Sequence, residues 1–289
     1  MKDIVKEKIA SLLSGDEEIQ SVEQLGGMTN QNYLVKTSSN QYIVKFFGKG
    51  TDKLIDRQNE KFNLELLKDL KLDVENYLFD IEAGIKVNQY IENAETLDSA
   101  TIKTKFEKIA PILQTIHASG KELKGEFAPF EEIKKYESLI QGEISYPNYE
   151  AVRKSVLSLK NELEKIGVDK KSCHIDLVPE NFIEGPDGHP YLIDWEYSSM
   201  NDPMWDLASL FLESEFTPEE EADFLAYYEG DKTPVSRKKI RIYKILQDTI
   251  WSLWTIYKEE NGADFGDYGI TRYNRAVKEL QSQGGIDED

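Results

Sequence analysis

Three side chains in one short stretch have the types and spacing for chemistry. His174, Asp176 and Asn181 form the pattern H-x-D-x-x-x-x-N, and Asp194 closes the apolar strand that follows a turn. Phosphoryl transfer calls for such a set: one carboxylate orients and deprotonates an attacking hydroxyl, while an amide and a second carboxylate hold Mg²⁺ against the phosphates. The spacing predicts Asp176 in the first role and Asn181 and Asp194 as the metal ligands. His174 is expected to brace the loop, not to move protons. His117 and His189 read as structural, and Cys173 as a small buried residue.

The phosphates also need a cation and a backbone cradle. Lys45 lies in the apolar strand run Tyr42 to Phe47, where alternation puts it on the face of Ile43 and Phe47. A lysine there costs free energy unless it meets an anion. Phosphate oxygens plus an acid from the next helix would serve; Glu60 is the expected partner, with Glu65 as the other choice. Gly26, Gly27, Thr29 and Asn30 form a small polar turn between two strand candidates. Glycines let backbone N–H groups approach phosphate, and Thr29 and Asn30 add side-chain donors. Alone, the turn reads as a plain hairpin connection; ahead of Lys45 it reads as a phosphate loop.

The elements that must position these residues follow from periodicity. A helix is expected near 2–13, strands near 19–25, 33–36 and 42–47, a helix at 54–69, and strands near 77–81 and 85–90. After residue 92 helical patterns take over, near 101–119, 130–141, 148–166, 203–214, 217–228, 235–260 and 270–282. A short strand pair at 181–184 and 191–194 interrupts them. Pro111 predicts a kink or early break in the first of these helices. The class is therefore α+β: a β-rich lobe over 1–87, a hinge at 88–92, and a large helical lobe over 93–289.

Two further sites stand out in the helical part. Asp202 and Pro203 read as a helix start. Asp206, one turn inside, either accepts from the catalytic loop's backbone or answers the helix dipole; the first is favoured. Leu246, Ile250, Leu253 and Tyr257 make a core stripe at helical spacing. Trp251 and Trp254 lie off that stripe, which suits the aromatic wall of a pocket, and Tyr268 in the next loop is placed to close it.

Composition bounds the rest. The chain has 289 residues, one cysteine and a formal net charge of −19. Such a surface repels nucleic acid and anionic lipid, and suits a cationic small molecule. A single cysteine excludes a disulfide framework. No apolar run is long enough to insert in a membrane, and the first residues read as an amphipathic helix, so a cytoplasmic protein is expected.

At this point the residues resemble a known family. The lobe with Lys45, the H-x-D-x-x-x-x-N loop and the strand ending Asp194, Trp195, Glu196 look like the choline/ethanolamine kinase and aminoglycoside phosphotransferase superfamily, a bilobal branch of the protein-kinase-like fold. The Gly26 to Asn32 loop, Cys173 to Asn181, Ile193 to Ala208 and the Trp251/Trp254 helix are similar to bacterial choline kinases, which make phosphocholine for cell-surface decoration. The resemblance spans essentially the whole chain. It implies ATP and Mg²⁺ as cofactors and choline as acceptor. Gly26 to Asn30 would be the phosphate loop, Lys45 with Glu60 the nucleotide-phosphate pair, and Asn88, Gln89, Tyr90 and Ile91 the border of adenine. Glu196, Tyr197, Trp251, Trp254 and Tyr268 would build the choline pocket. Trp195 and Glu196 stand where protein kinases have Phe-Gly after the metal aspartate, so no mobile activation segment is expected.

The chemistry of choline fits independently. A quaternary ammonium has no N–H to donate, so aromatic faces grip it better than carboxylate geometry does, at about 0.5–2 kcal/mol per ring. An ethanolamine kinase and an aminoglycoside phosphotransferase are the nearest alternatives. A non-catalytic nucleotide- or choline-binding pseudokinase is the alternative from another class, against which the full set Lys45, Asp176, Asn181 and Asp194 argues. The sequence leaves the oligomeric state open.

Overall fold

A computed structural model describes residues 2–9, 12–13, 17–27, 30–48, 50–229 and 234–282. The expected Thr29 donor lies outside the described residues. In chain order the first elements are α1 (Lys2–Ile9), β1 (Ile19–Gln24), β2 (Gln31–Thr37), β3 (Gln41–Phe46), α2 (Arg57–Leu67), β4 (Asn76–Asp80), β5 (Ile85–Gln89) and β6 (Glu95–Thr96). There follow α3 (Phe106–His117), α4 (Pro129–Leu139), α5 (Tyr149–Ile166), β7 (Lys171–Cys173), β8 (Phe182–Glu184), β9 (Pro190–Leu192) and β10 (Ser199–Asn201). The last elements among the described residues are α6 (Pro203–Glu213), α7 (Pro218–Tyr228), α8 (Arg237–Glu260) and α9 (Tyr268–Gln281).

Contacts group these elements into two compact units, Met1–Leu97 with Glu180–Glu196, and Asp98–Pro179 with Tyr197–Asp289. The division falls after Leu97 and groups Glu180–Glu196 with the sheet. The reason is hydrogen bonding: β6 pairs with β8, Leu97 N–H donates to the Phe182 carbonyl, and Leu192 N–H to the Leu72 carbonyl.

The first unit is built on an antiparallel sheet of order β1-β2-β3-β5-β4. Period-2 alternation gives it two faces of different character. Tyr33, Val35, Tyr42, Val44, Ile85 and Val87 fill one face and pack against Val5 and Ile9 of α1. Each such side chain, once buried, contributes about 1.5–3 kcal/mol. The opposite face carries the polar set. Asn32, Lys45 and Lys86 share one cross-strand rung, and Leu34, Ile43, Asn88 and Asn76 the next. α2 begins with Asp56, whose carboxylate accepts from the Gln58 and Asn59 N–H groups.

The second unit packs helices around α8, which meets α4, α5, α6 and α9. Its 24 residues are buried along most of their length, as the apolar stripe requires. β7 and β10 form a short ladder with Cys173 opposite Ser199. Pro111 does not end α3, which continues through it from Phe106 to His117. Pro111 is exposed, so the carbonyl it leaves without a helical partner lies toward water. Among the described residues no helix is long and apolar enough to cross a membrane.

Candidate active site

The loop after β7 is held from below by one carboxylate. Asp206 accepts from the His174 N–H (2.8 Å, Oδ2) and the Ile175 N–H (2.8 Å, Oδ1). The Trp205 indole donates to the Ile175 carbonyl at 3.0 Å, and the Leu177 N–H to Ser209 Oγ at 3.0 Å. All three acceptors or donors come from α6, whose start is set by the Asp202 cap and Pro203. The brace expected of Asp206 is therefore present. It also holds Ile175 at φ 80°, left-handed backbone that a β-branched residue adopts only when its surroundings impose it. Cys173, His174, Ile175 and Leu177 are fully buried, while Asp176 is half-exposed. The loop is thus an anchored arch from which one carboxylate reaches out.

His117 belongs to the same brace, which its isolated position in the sequence did not announce. Its Nδ1 lies 2.7 Å from Tyr228 Oη and its Nε2 3.0 Å from Asp206 Oδ2. His117, Cys173 and Asp206 come close enough to resemble a metal-ligating set. Their atoms are already committed, however: Asp206 to two backbone N–H groups, His117 at both nitrogens, and Cys173 Sγ to the Asn201 carbonyl. Burial pushes the Cys173 thiol well above its ordinary range, which disfavours the thiolate a metal would need. This is a structural network.

The first unit gathers the metal and phosphate candidates. The Ile193 N–H donates to the Asn181 carbonyl at 2.8 Å, extending the β8–β9 pairing by one rung, so Asn181 and Asp194 come to the same end of the hairpin. Asp194 has φ 69°, a left-handed conformation that costs a non-glycine about 1–2 kcal/mol. Its carboxylate makes a 2.9 Å ion pair with Lys45, which is 6% exposed.

That pairing corrects the expected one. Lys45 is matched with Asp194, whereas Glu60 accepts from Lys86 and from Arg57 (2.6 Å). The cause is the β3–β5 register, which sets Lys45 directly opposite Lys86. Like charges facing each other across a rung destabilise a sheet unless each finds an anion. Glu60, fully buried on α2, serves Lys86, and Asp194 serves Lys45. Asp73 adds a third carboxyl to Glu60 and Asp194, beside the cations Lys45, Lys86 and Arg57. Burial pushes it up to about 7, against the pull of Lys86 and Lys45.

Asn30 and Glu196 are drawn into the same network. Asn30 Nδ2 donates to Glu196 Oε2 (2.7 Å), and its Oδ1 accepts from Arg57 Nη2 (3.0 Å). Arg57 Nη1 also reaches Glu196 Oε2 at 3.0 Å, and the guanidinium lies 4.1 Å from the Phe47 ring centroid. Glu196 was expected to face choline. The cation it meets is Arg57, because a buried carboxylate must be paired where it lies. Burial and the nearby Asp194 push the Glu196 carboxyl up, and Arg57 opposes them. Gly27 closes the loop: a Cβ there would sit 2.6 Å from the Asn30 carbonyl oxygen and 2.7 Å from Asn32 Nδ2. Asn32 Nδ2 itself donates to the Gly26 carbonyl at 2.8 Å. Asn88 accepts from Asn76 at 2.8 Å, while Gln89, Tyr90 and Ile91 are half-exposed at the end of β5.

The second unit holds the aromatic candidates together. Tyr197 meets Trp251 edge-on (centroids 5.7 Å) and Trp251 meets Trp254 (6.5 Å, 88°). Trp254 lies 5.0 Å from Phe265, which lies 6.4 Å from Tyr268. These rings touch one another in sequence, with Phe265 as a ring the sequence reading did not single out. Tyr136, 1% exposed on α4, was also missed. Burial is the main cause that pushes the Tyr136 phenol up, and Asp176 contributes. Burial likewise raises the Tyr268 phenol, with Asp176 a lesser contributor.

The chain is similar to known proteins over nearly its whole length. The choline/ethanolamine kinase family model matches residues 22–239. The crystal structure of choline kinase LicA from Streptococcus pneumoniae is 76% identical, with TM-score 0.95 over 98% of this chain and 99% of that one. A structure of LicA in complex with AMP gives 76% identity and TM-score 0.93 over 98% of each chain. Protein LicA of Haemophilus influenzae is 31% identical over 266 residues, 88% of this chain and 99% of its own length.

Proposed function

The chain belongs to the choline/ethanolamine kinase family, and from that premise we propose that it transfers the γ-phosphate of ATP to the hydroxyl of choline, giving phosphocholine and ADP. The observation that carries this reading is that one compact unit holds both Asp176 and the aromatic rings. The loop is anchored through Asp206, so Asp176 is presented in a fixed place. The rings from Tyr197 to Tyr268 form a run of aromatic contacts, the kind of surface that suits a cation unable to donate a hydrogen bond.

Asp176 takes the proton from the acceptor hydroxyl as its oxygen attacks the γ-phosphorus in line with the leaving ADP. Lys45 leaves Asp194 to meet the phosphate oxygens, and the Gly26–Gly27 backbone closes over them. Asn181 and Asp194 would hold Mg²⁺. An amide and a carboxylate are the hard oxygen donors that this ion takes, and Asp194 already holds a cation, the Lys45 ammonium. When bound, Mg²⁺ offsets charge on the phosphates. The adenine would lie by Asn88 to Ile91; a similar protein binds AMP, which supports nucleotide binding as such.

The test is a coupled ADP-release assay on choline, ethanolamine and kanamycin. We expect choline to give the highest kcat/KM. Asp176→Ala should lower kcat by at least about 10³-fold with an unchanged melting temperature. Full turnover in that variant, or kanamycin as the preferred acceptor, would overturn the assignment.

A further inference from the structure

Arg272 lies one turn after Tyr268 on α9 and is 3% exposed. A guanidinium so deeply buried must be fully paired. Its fork spans Glu213 at the end of α6, Nη1 to Oε2 at 3.1 Å and Nη2 to Oε1. Nη1 also donates to Tyr268 Oη at 2.7 Å, and the guanidinium carbon stands 5.1 Å from the Tyr268 ring centroid. Asp248, 3.3 Å from Arg272 Nε, has its own cation: Arg275 grips both its oxygens at 2.6 Å. The charges therefore pair off, Arg275 with Asp248 and Arg272 with Glu213.

This ion pair abuts the aromatic wall. Tyr268 adjoins Phe265, which adjoins Trp254. The Tyr268 phenol, pushed up to about 12 chiefly by burial, also feels Arg272, Glu213 and Asp176. A carboxylate in this position has a chemical consequence. A primary ammonium carries three N–H donors and gains from a carboxylate that can accept them; a quaternary ammonium has none to give. With both Glu213 oxygens held by Arg272, an acceptor with N–H groups loses its water without recovering those bonds at this acid, whereas a methylated one loses nothing comparable.

We propose that Arg272 is a specificity-determining residue: by holding Glu213 in a two-pronged ion pair beside Tyr268, it favours a quaternary ammonium over a primary one. The proposal rests on the choline-kinase reading. It leaves Arg272 outside the chemical step and predicts a change in the ratio of acceptors, not a general loss of activity.

The experiment measures kcat/KM for choline and for ethanolamine in the wild-type enzyme, Arg272→Gln, Arg272→Lys and the double variant Arg272→Gln/Glu213→Gln, with melting temperatures for each. Arg272→Gln is expected to lower the choline-to-ethanolamine ratio at least about tenfold, the scale of a hydrogen bond to a charged group. The double variant, which removes the carboxylate's charge as well, should bring the ratio back to within about threefold of wild type. Lysine keeps the charge but cannot grip both oxygens, so Arg272→Lys should shift the ratio part of the way. A ratio unmoved in a folded Arg272→Gln overturns the proposal, as does a fallen ratio that the double variant fails to restore. Should Arg272→Gln not fold, an unmoved ratio in folded Arg272→Lys is decisive against it. A wild-type enzyme inactive on choline would instead overturn the functional reading.

Discussion

At the scale of single residues, the molecule is governed by what buried charges must do. Lys45 was legible because a lysine in an apolar strand needs an anion. Lys86 carries the same signal in the run Ile85 to Val87, yet only the register shows that it stands opposite Lys45 and takes Glu60. Asp73, in the segment between α2 and β4, had no signal at all. Its pKa of about 7 makes a prediction with a definite sign. The folded pKa lies above the unfolded value, so the folded state holds the proton more tightly. The stability this contributes is complete below about pH 4 and is lost as pH rises through 7. Asp73→Asn should therefore match wild type near pH 4 and become the more stable protein by pH 8, by at most about 4 kcal/mol. Denaturant melts in EDTA without nucleotide would read this, and a gap that shrinks with rising pH would refute it.

At the scale of elements, close contacts between helices carry the acceptor side. α9 approaches α8 through Gly269, where a Cβ would lie 2.6 Å from Tyr146 Oη and 3.0 Å from Thr255 Cβ and Cγ2. Tyr146 is itself fixed by a 3.0 Å bond to the Ser252 carbonyl. Gly269→Ala must therefore move α9, and with it Tyr268, the adjacent residue. Overpacking of this kind costs about 1–3 kcal/mol. We expect a lowered melting temperature and a several-fold rise in KM for choline with KM for ATP nearly unchanged. Equal rises in both constants would show that Gly269 serves the fold as a whole and not the acceptor wall. The same scale explains the catalytic loop: α6 supplies Trp205, Asp206 and Ser209 to it, and the capped start of that helix sets where they fall.

At the scale of the whole molecule, charge is the dominant fact. A net charge of −19 draws a cation toward the protein and repels the anionic nucleotide. Both effects are screened as the Debye length shrinks from about 30 Å at 0.01 M salt to about 8 Å at 0.15 M. Raising salt over that range should lower kcat/KM for choline a few-fold and leave kcat/KM for Mg·ATP unchanged or raised. A choline constant that climbs with salt would mean that local charges, such as Lys45, Arg57 and Lys86, outweigh the global field.

Much of this protein was determined by sequence alone, and for physical reasons. Helix and strand periodicities are local, so most elements appear within a few residues of their expected places; two- and three-residue strands such as β6, β7 and β10 carry too little pattern to be read. The spacing from Asp176 to Asn181 and Asp194 was legible because one short loop and hairpin must carry all three. The brace by Asp206 was legible as a choice between two roles, and the tertiary structure decided it. What depends on which strand lies beside which, or which helix meets which, was not legible. The register assigns Glu60 to Lys86 and Asp194 to Lys45. Folding brings Arg57 to Glu196 and Arg272 to Glu213. An ion pair between residues far apart in sequence leaves no periodic trace; only the packed structure decides which opposite charges are buried together.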